Sequence, residues 1–223
     1  SGSVSGATTT YASSSFSWTA SPSAPSTYTV TGSDAAGNTT TTGLVFVADT
    51  TAPTGGALTV NGVAATSGGS TSAAGSSFSG SVTNFTDAGS GIDTNTLTRA
   101  IGSYLGGSCS LFGSETTVTP VSGAISESGL GTGCYRYTLT GTDKVGNTVA
   151  ISTTVKVDVT APTQVITATG ARAAVNGSTI YFRNDSTSVN NTFTLSAAVT
   201  DYESVAKQTV FPALSQNGWS SHS

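Results

Sequence analysis

The sequence predicts an all-β chain of tandem β-sandwiches, one complete and one split between the two chain ends. Three observations carry the prediction: an internal repeat of fixed period, period-2 alternation of apolar residues with no competing helical stripe, and the same turn chemistry at recurring positions.

The repeat sets the organisation. Tyr28-Thr-Val-Thr-Gly-Ser-Asp34-Ala-Ala-Gly37-Asn38, then Val47-Ala-Asp49-Thr-Thr-Ala-Pro53, returns as Tyr137-Thr-Leu-Thr-Gly-Thr-Asp143-Lys-Val-Gly146-Asn147, then Val157-Asp158-Val-Thr-Ala-Pro162. The pairs Tyr28 and Tyr137, Asp34 and Asp143, Asp49 and Asp158, Pro53 and Pro162 all share one offset. Residues 50–158 span one such period and are expected to form a complete domain. Residues 1–49 resemble only the second half of that unit, and residues 159–223 only the first half. A looser match supports this: Ser81-Val-Thr-Asn-Phe-Thr-Asp87 against Leu195-Ser-Ala-Ala-Val-Thr-Asp201. Half, whole, half is therefore the expected order. Residues 159–223 would be completed by residues 1–49 of the next repeat or copy. The lack of Met and the start at Ser1 read as a processed chain or an excerpt of a longer array.

Strands are expected where apolar and polar residues alternate. The segments are Phe16-Ser-Trp18-Thr, Tyr28-Thr-Val30-Thr, Leu44-Val-Phe46-Val, Phe78-Ser-Gly-Ser-Val82, Tyr135 to Thr140, Val149 to Val157, Thr179 to Phe182 and Phe193 to Val199. Short strands at close intervals, with Gly, Asn, Asp and Ser between them, describe a sandwich. A closed barrel is the alternative, and it does not account for a linear repeat joined by short linkers.

Composition narrows the class. Charged residues make up 8% of the chain, against about 25% in ordinary soluble domains. Hydroxyls and amides must then coat the surface, which is an extracellular look. With 36% hydrophobic residues and about 110 residues per unit, each domain can bury a single modest core. No apolar run approaches the about 18 residues of a membrane span, and no signal-peptide h-region is present. The net charge of −4 with scattered cations and a pI of about 4.6 argue against a nucleic-acid partner.

Asp34-Ala-Ala-Gly37-Asn38 and Asp143-Lys-Val-Gly146-Asn147 fall between the last two strands of each unit. The Asp side chain can accept backbone N–H bonds inside the turn, and Gly-Asn tolerates positive φ, so the hairpin is pinned in one register. A metal reading of this Asp needs further carboxylates. The hairpin Tyr-x-Val/Leu-Thr-Gly-x-Asp-x-x-Gly-Asn, closing with Val-x-Asp-x-Thr-Ala-Pro, resembles the bacterial immunoglobulin-like (Ig-like) domains found in tandem in large surface proteins and adhesins. The resemblance covers the whole chain once the halves are joined. It implies sandwiches of seven to eight strands with termini at opposite ends, strung out lengthwise. Cysteine usage departs from the antibody pattern, because Cys109 and Cys134 stand too close together in the sequence and the outer unit has none.

Two cysteines in a secreted-looking chain read most simply as a disulfide, tethering the loop by about 3 kcal/mol. A free thiol pair or a metal site is the alternative, without a nearby His to assist. The one histidine, His222, stands in a Ser-rich stretch, which reads as a surface residue and not as part of a hydrolytic triad. Asp87 with Asp93, or Asp201 with Glu203, could do glycosidic acid–base work in principle. Nothing separates them from solvated loop acids, so no enzymatic activity is expected. Calcium is the one cofactor considered, with Asp49 and Asp158 at the linkers and Asp87, Asp93, Asp201 and Glu203 on loops. These are few for an ion wanting six to eight oxygens. Without metal, Asp-x-Thr-Ala-Pro stiffens the junction because Pro53 and Pro162 fix φ and extend the residue before them. Asn38, Asn84, Asn176, Asn184 and Asn190 fit the N-glycosylation pattern, as chance alone allows in so Ser/Thr/Asn-rich a chain.

The expected function is structural: a non-catalytic repeat of an extracellular filament, stalk or adhesin shaft, whose partners are copies of itself or further Ig-like repeats end to end. The alternative is a glycan- or protein-binding module carried by loop aromatics such as Tyr104, Tyr202 or Trp219. For Trp18 and Trp219 a core or edge-packing role is the simpler reading.

Overall fold

Alternation of Thr with apolar residues gives this chain strands, and Gly, Asn and Asp end them. The computed structural model describes residues 10–19, 23–24, 27–65, 68–170, 172–184, 191–214, 216 and 218–219. Among the described residues every regular element is a strand. The chain divides into two compact units, Ser1–Thr50 and Thr51–Ser223.

The first unit contains one antiparallel hairpin, β1 (Tyr28–Ser33) and β2 (Thr39–Leu44), paired from Tyr28↔Leu44 to Ser33↔Thr39. Every residue of both strands is exposed. Aromatic rings line one side, Phe16 edge-on to Tyr28 at 5.5 Å and Tyr28 edge-on to Phe46 at 6.4 Å.

The second unit holds the remaining strands. β3 (Ala57–Val60), β4 (Val63–Ala64), β5 (Gly69–Ser72), β6 (Phe78–Thr83), β7 (Ile92–Leu105), β8 (Ser108–Ser110), β9 (Thr116–Thr117), β10 (Ala124–Glu127), β11 (Gly133–Asp143) and β12 (Thr148–Val157) form two sheets. One has the order β10-β6-β3-β4, the other β5-β12-β11-β7-β8 with β9 also on β7. They enclose a common core, a β-sandwich arrangement. Leu58, Val60, Phe78 and Ile125 come from the first sheet, and Leu97, Tyr135, Tyr137, Leu139, Val155 and Val157 from the second. Phe78 meets Tyr137 edge to face at 5.9 Å. Phe85 closes one end of the core, where a Cβ on Gly56 or Gly141 would collide with its ring at 2.4 or 2.8 Å. Gly141 is thus required by packing.

Beyond the sandwich, β13 (Thr163–Thr169) pairs antiparallel with β16 (Thr194–Thr200), and β14 (Ala173–Asn176) with β15 (Thr179–Phe182). The ladder β13–β16 is antiparallel, like β3–β6. Leu58 pairs Val82 as Ile166 pairs Ala197, and Val60 pairs Gly80 as Ala168 pairs Leu195. The shielded face of β16 carries Leu195, Ala197 and Val199. This shifts the loose alignment of Ser81 with Leu195 by a single position, because in β6 the shielded positions are Phe78, Gly80 and Val82. Phe78 then matches Phe193.

Two expected strands differ. Phe16 to Thr19 is not a strand, and in the first unit pairing stops at Leu44, leaving Val45 to Val47 unpaired. The longest strand, β7, lies where alternation predicts none, since its run Ile92-Asp-Thr-Asn-Thr-Leu-Thr-Arg-Ala carries few apolar residues to alternate. It is held by pairing with β11 from Ile92 to Gly102. Replacing Leu139 (1% exposed) by Ala is expected to cost about 2–5 kcal/mol of sandwich stability. The same change at exposed Leu44 should leave the sandwich within about 0.5 kcal/mol. Chemical denaturation of the two variants checks the contrast.

Candidate functional site

Three local features concentrate the polar chemistry of the chain: the twin turns, the disulfide with its neighbouring ion pair, and the linker at Asp158–Pro162. In the first turn Asp34 Oδ1 accepts from the N–H of Ala36 (2.9 Å) and Asn38 (2.8 Å), while Oδ2 accepts from Asn38 Nδ2 (2.7 Å). In the second, Asp143 Oδ1 accepts from Val145 N–H (2.9 Å) and Asn147 N–H (2.8 Å), and Oδ2 from Asn147 Nδ2 (2.7 Å). Gly37 and Gly146 stand at φ 89° and 94°, where a Cβ would be strained. The paired residues that flank each turn, Ser33↔Thr39 and Thr142↔Thr148, are related by the repeat offset of the sequence.

Those bonds hold both carboxyls below the usual range. For Asp34 the Asn38 side chain and backbone dominate. For Asp143, which is 2% exposed, burial by itself would raise the value, and the donors from Asn147, Val145 and Gly146 together outweigh it.

Cys109 on β8 and Cys134 on β11 are joined by a disulfide, with Cα atoms 5.8 Å apart. β7 runs between these strands, and Gly102, which pairs with Cys134, leaves room over the sheet where Phe112 also packs. Sequence reasoning missed the ion pair that bridges the two sheets. Arg99 Nη1 of β7 donates to Glu127 Oε1 (2.8 Å) and Oε2 (2.9 Å) of β10, and Tyr137 OH donates to Glu127 Oε1 at 2.6 Å. Burial, then the hydrogen bond and charge of Glu127, push the Tyr137 phenol well above its ordinary value. The pair leaves no trace in the sequence, because alternation predicts neither of the strands, β7 and β10, that carry it.

At the linker, Asp158 Oδ1 accepts Thr160 N–H (2.9 Å), and Thr132 Oγ1 accepts Val159 N–H (3.1 Å). The glycine turn after β7 reaches the segment beyond the linker: Gly106 N–H donates to Tyr202 O (2.8 Å) and Gly107 N–H to Glu203 O (2.7 Å). Lys156 Nζ donates to Gly107 O (2.8 Å) and lies 5.9 Å from the Tyr104 ring centroid. Burial and the carboxylates Asp158 and Asp201 raise the Tyr104 phenol. A cleft of about 520 Å³ opens here, with Tyr104, Lys156, Asp158, Pro162, Asp201 and Lys207 in its wall.

Of the acids considered for calcium, Asp87, Asp158 and Asp201 accept backbone N–H bonds within their own loops. Asp87 Oδ1 accepts Gly91 N–H (2.8 Å), and Asp201 Oδ1 accepts from Glu203 N–H (3.1 Å) and Ser204 N–H (2.7 Å). Asp93 is exposed on β7, and Glu203 is half-buried. Asp49 and Pro53 fall on either side of the division between the two units. The Asp87 loop lies against the second turn, Lys144 N–H donating to Gly91 O at 3.0 Å. This brings a carboxylate oxygen of Asp87 within 4.8 Å of one of Asp143.

Tyr202 is exposed and Tyr104 half-buried. Trp219 packs edge-on to Phe182 (5.0 Å) and Phe193 (6.1 Å), while Trp18 is 81% exposed. Asn38, Asn84, Asn176 and Asn184 are exposed. His222 and Asn190 lie outside the described residues. Comparison with protein-family models, curated proteins and solved structures finds no match to this chain.

A depressed folded-state pKa means the Asp143 contribution is complete above the ordinary value of 3.8 and is lost as pH falls below it through the lower folded value. Asp143→Asn should therefore melt below the unsubstituted chain at pH 7, with the gap narrowing towards pH 3. Thermal unfolding at both pH values checks this.

Proposed function

We infer that this chain is a non-catalytic structural repeat of an extracellular filament, stalk or adhesin shaft, built from Ig-like sandwiches in tandem. Residues 50–158 are one domain; residues 159–223 and 1–49 are the first and second halves of another. The observation that carries the reading is the reproduction of both halves. The hairpin around Asp34 repeats that around Asp143 bond for bond, and β13–β16 repeats the β3–β6 ladder.

The linker supports a mechanical role. A flexible tether would leave backbone donors to water, whereas here Gly106 and Gly107 donate across to the following segment, and the Thr132 hydroxyl accepts Val159 N–H and shares a hydrogen bond with the Thr160 hydroxyl. Such a junction resists bending and transmits tension along the chain. The disulfide fits an oxidising compartment, and a surface almost without charge favours lateral packing over electrostatic repulsion.

The second reading is an adhesive module for a glycan or host protein, favoured by the cleft beside Tyr104 and the exposed ring of Tyr202. A glycan array and a host-protein panel probed with the intact chain separate the two. The shaft reading expects no saturable binding. A saturable ligand lost on Tyr202→Ala would replace it with the adhesive one.

A further inference from the structure

β8 is three residues long, and its one ladder among the described residues is with β7, from Ser103↔Ser110 to Leu105↔Ser108. Ser108 and Ser110 are exposed, and so is Leu105 opposite Ser108. Burial therefore contributes little to this hairpin, and a two-stranded hairpin without burial is marginal in water. A covalent link compensates. Cys109, the middle residue of β8, is bonded to Cys134 of β11 across the intervening β7, with the two Cα atoms 5.8 Å apart. The bond straps β8 down over Gly102, where a Cβ would meet Ser110 O and Phe112 at 2.8 Å.

The hairpin so fastened ends in the turn that meets the segment beyond the linker. Gly106 and Gly107, at φ 57° and 76°, form a two-residue turn whose own N–H groups an isolated hairpin leaves to water. Here both are taken, by Tyr202 O at 2.8 Å and Glu203 O at 2.7 Å. From the sandwich side, Lys156 Nζ holds the Gly107 carbonyl at 2.8 Å. Against the same turn stands Val205, a β-branched residue at φ 72°, whose Cγ2 a Cβ built on Gly107 would touch at 3.8 Å. Such a backbone is strained and persists only while its surroundings hold it. Freeing the turn thus removes two hydrogen bonds and the support of a strained residue together.

We propose that the Cys109–Cys134 disulfide is a redox latch on the junction: closed, it holds the β7–β8 turn against Tyr202 to Val205, and opened by a dithiol it lets the junction loosen. This rests on the shaft reading and adds a control over the shaft's stiffness. The sandwich itself does not depend on the bond. Its apolar core takes no residue from β8, and β11 keeps long ladders to both β7 and β12. Cys109 is half-buried and Cys134 fully buried, so a dithiol's thiolate attacks the Cys109 sulfur. The S–S bond breaks and Cys134 leaves as a thiolate. The reagent's second thiolate then attacks the mixed disulfide, closes into a cyclic disulfide and releases Cys109. The dithiol is oxidised, the cysteines are reduced, and the protons it loses pass through solvent to their two thiolates. β8 is left with its short ladder to β7 alone.

The test is amide hydrogen exchange followed by NMR on the full chain: oxidised, reduced with dithiothreitol, and reoxidised in air after the reductant is removed. The Gly106 and Gly107 amides should be protected in the oxidised chain, lose that protection on reduction and regain it on reoxidation. Tyr137 and Leu139 of β11 should stay protected throughout, which reports in the same sample that the sandwich is folded. The double variant Cys109→Ser with Cys134→Ser should behave as the reduced chain does. Unchanged protection at Gly106 and Gly107 on reduction would overturn the latch. Loss of protection along β11 as well would overturn it too, by making the bond a staple of the whole sandwich. Exchange needs no ligand, so a saturable ligand on the array would remove the shaft reading and leave the measured latch standing. An unmoved turn would do the reverse.

Discussion

The constraint on which the rest depends is that a β-sheet with one apolar face needs a second sheet to cover it. In the second unit the requirement is met. The inward residues of β11 and β12 are sealed by Leu58, Val60, Phe78 and Ile125. Burying each such side chain is worth about 1.5–3 kcal/mol relative to exposure, and a two-stranded hairpin without that gain is marginal in water. β1–β2 has the same sequence pattern and none of the cover, so it keeps its turn and ladder but not the second half of its strand beyond Leu44.

Local and long-range information separate cleanly along this chain. The turns are legible because their chemistry is short-range: Asp, Gly and Asn within a single turn specify the bonds, and they do so identically at 34–38 and 143–147. Strands with strong alternation, such as β11 and β12, are legible for the same reason. β7 is not, because what makes Ile92-Asp-Thr-Asn-Thr a strand is the neighbouring β11, which is adjacent in the sheet and distant in the sequence. Phe16-Ser-Trp18 is the converse, an alternating run that forms no strand. The ion pair of Arg99 with Glu127 is equally hidden, since it joins β7 to β10 and neither residue carries a local signature.

The polar interior of the sandwich shows how so weakly charged a chain fixes its register. Aliphatic contacts alone tolerate slippage between facing sheets. Glu127, gripped by both Arg99 and the Tyr137 hydroxyl, gives β10 a defined position over β7 and β11, since a half-buried charge separated from its partner is costly. Phe85, wedged between Gly56 and Gly141, does the same at the other end by shape. A slip of one position would put a Cβ into the ring.

The first unit retains the glycine of that arrangement, since Gly32 stands where Gly141 does, yet only Thr40 approaches it, at 3.6 Å. Within an isolated hairpin, a glycine in mid-strand is a liability, weakening the strand through entropy and lost packing. Its presence is intelligible when another segment must pass over the strand, as Phe85 passes over Gly141. The same holds for Tyr28, Val30 and Phe46, whose exposure costs solubility and whose burial would contribute stability. Turn, glycine and apolar face together suit β1–β2 to packing under a second layer, as β11 and β12 pack under β3, β6 and β10.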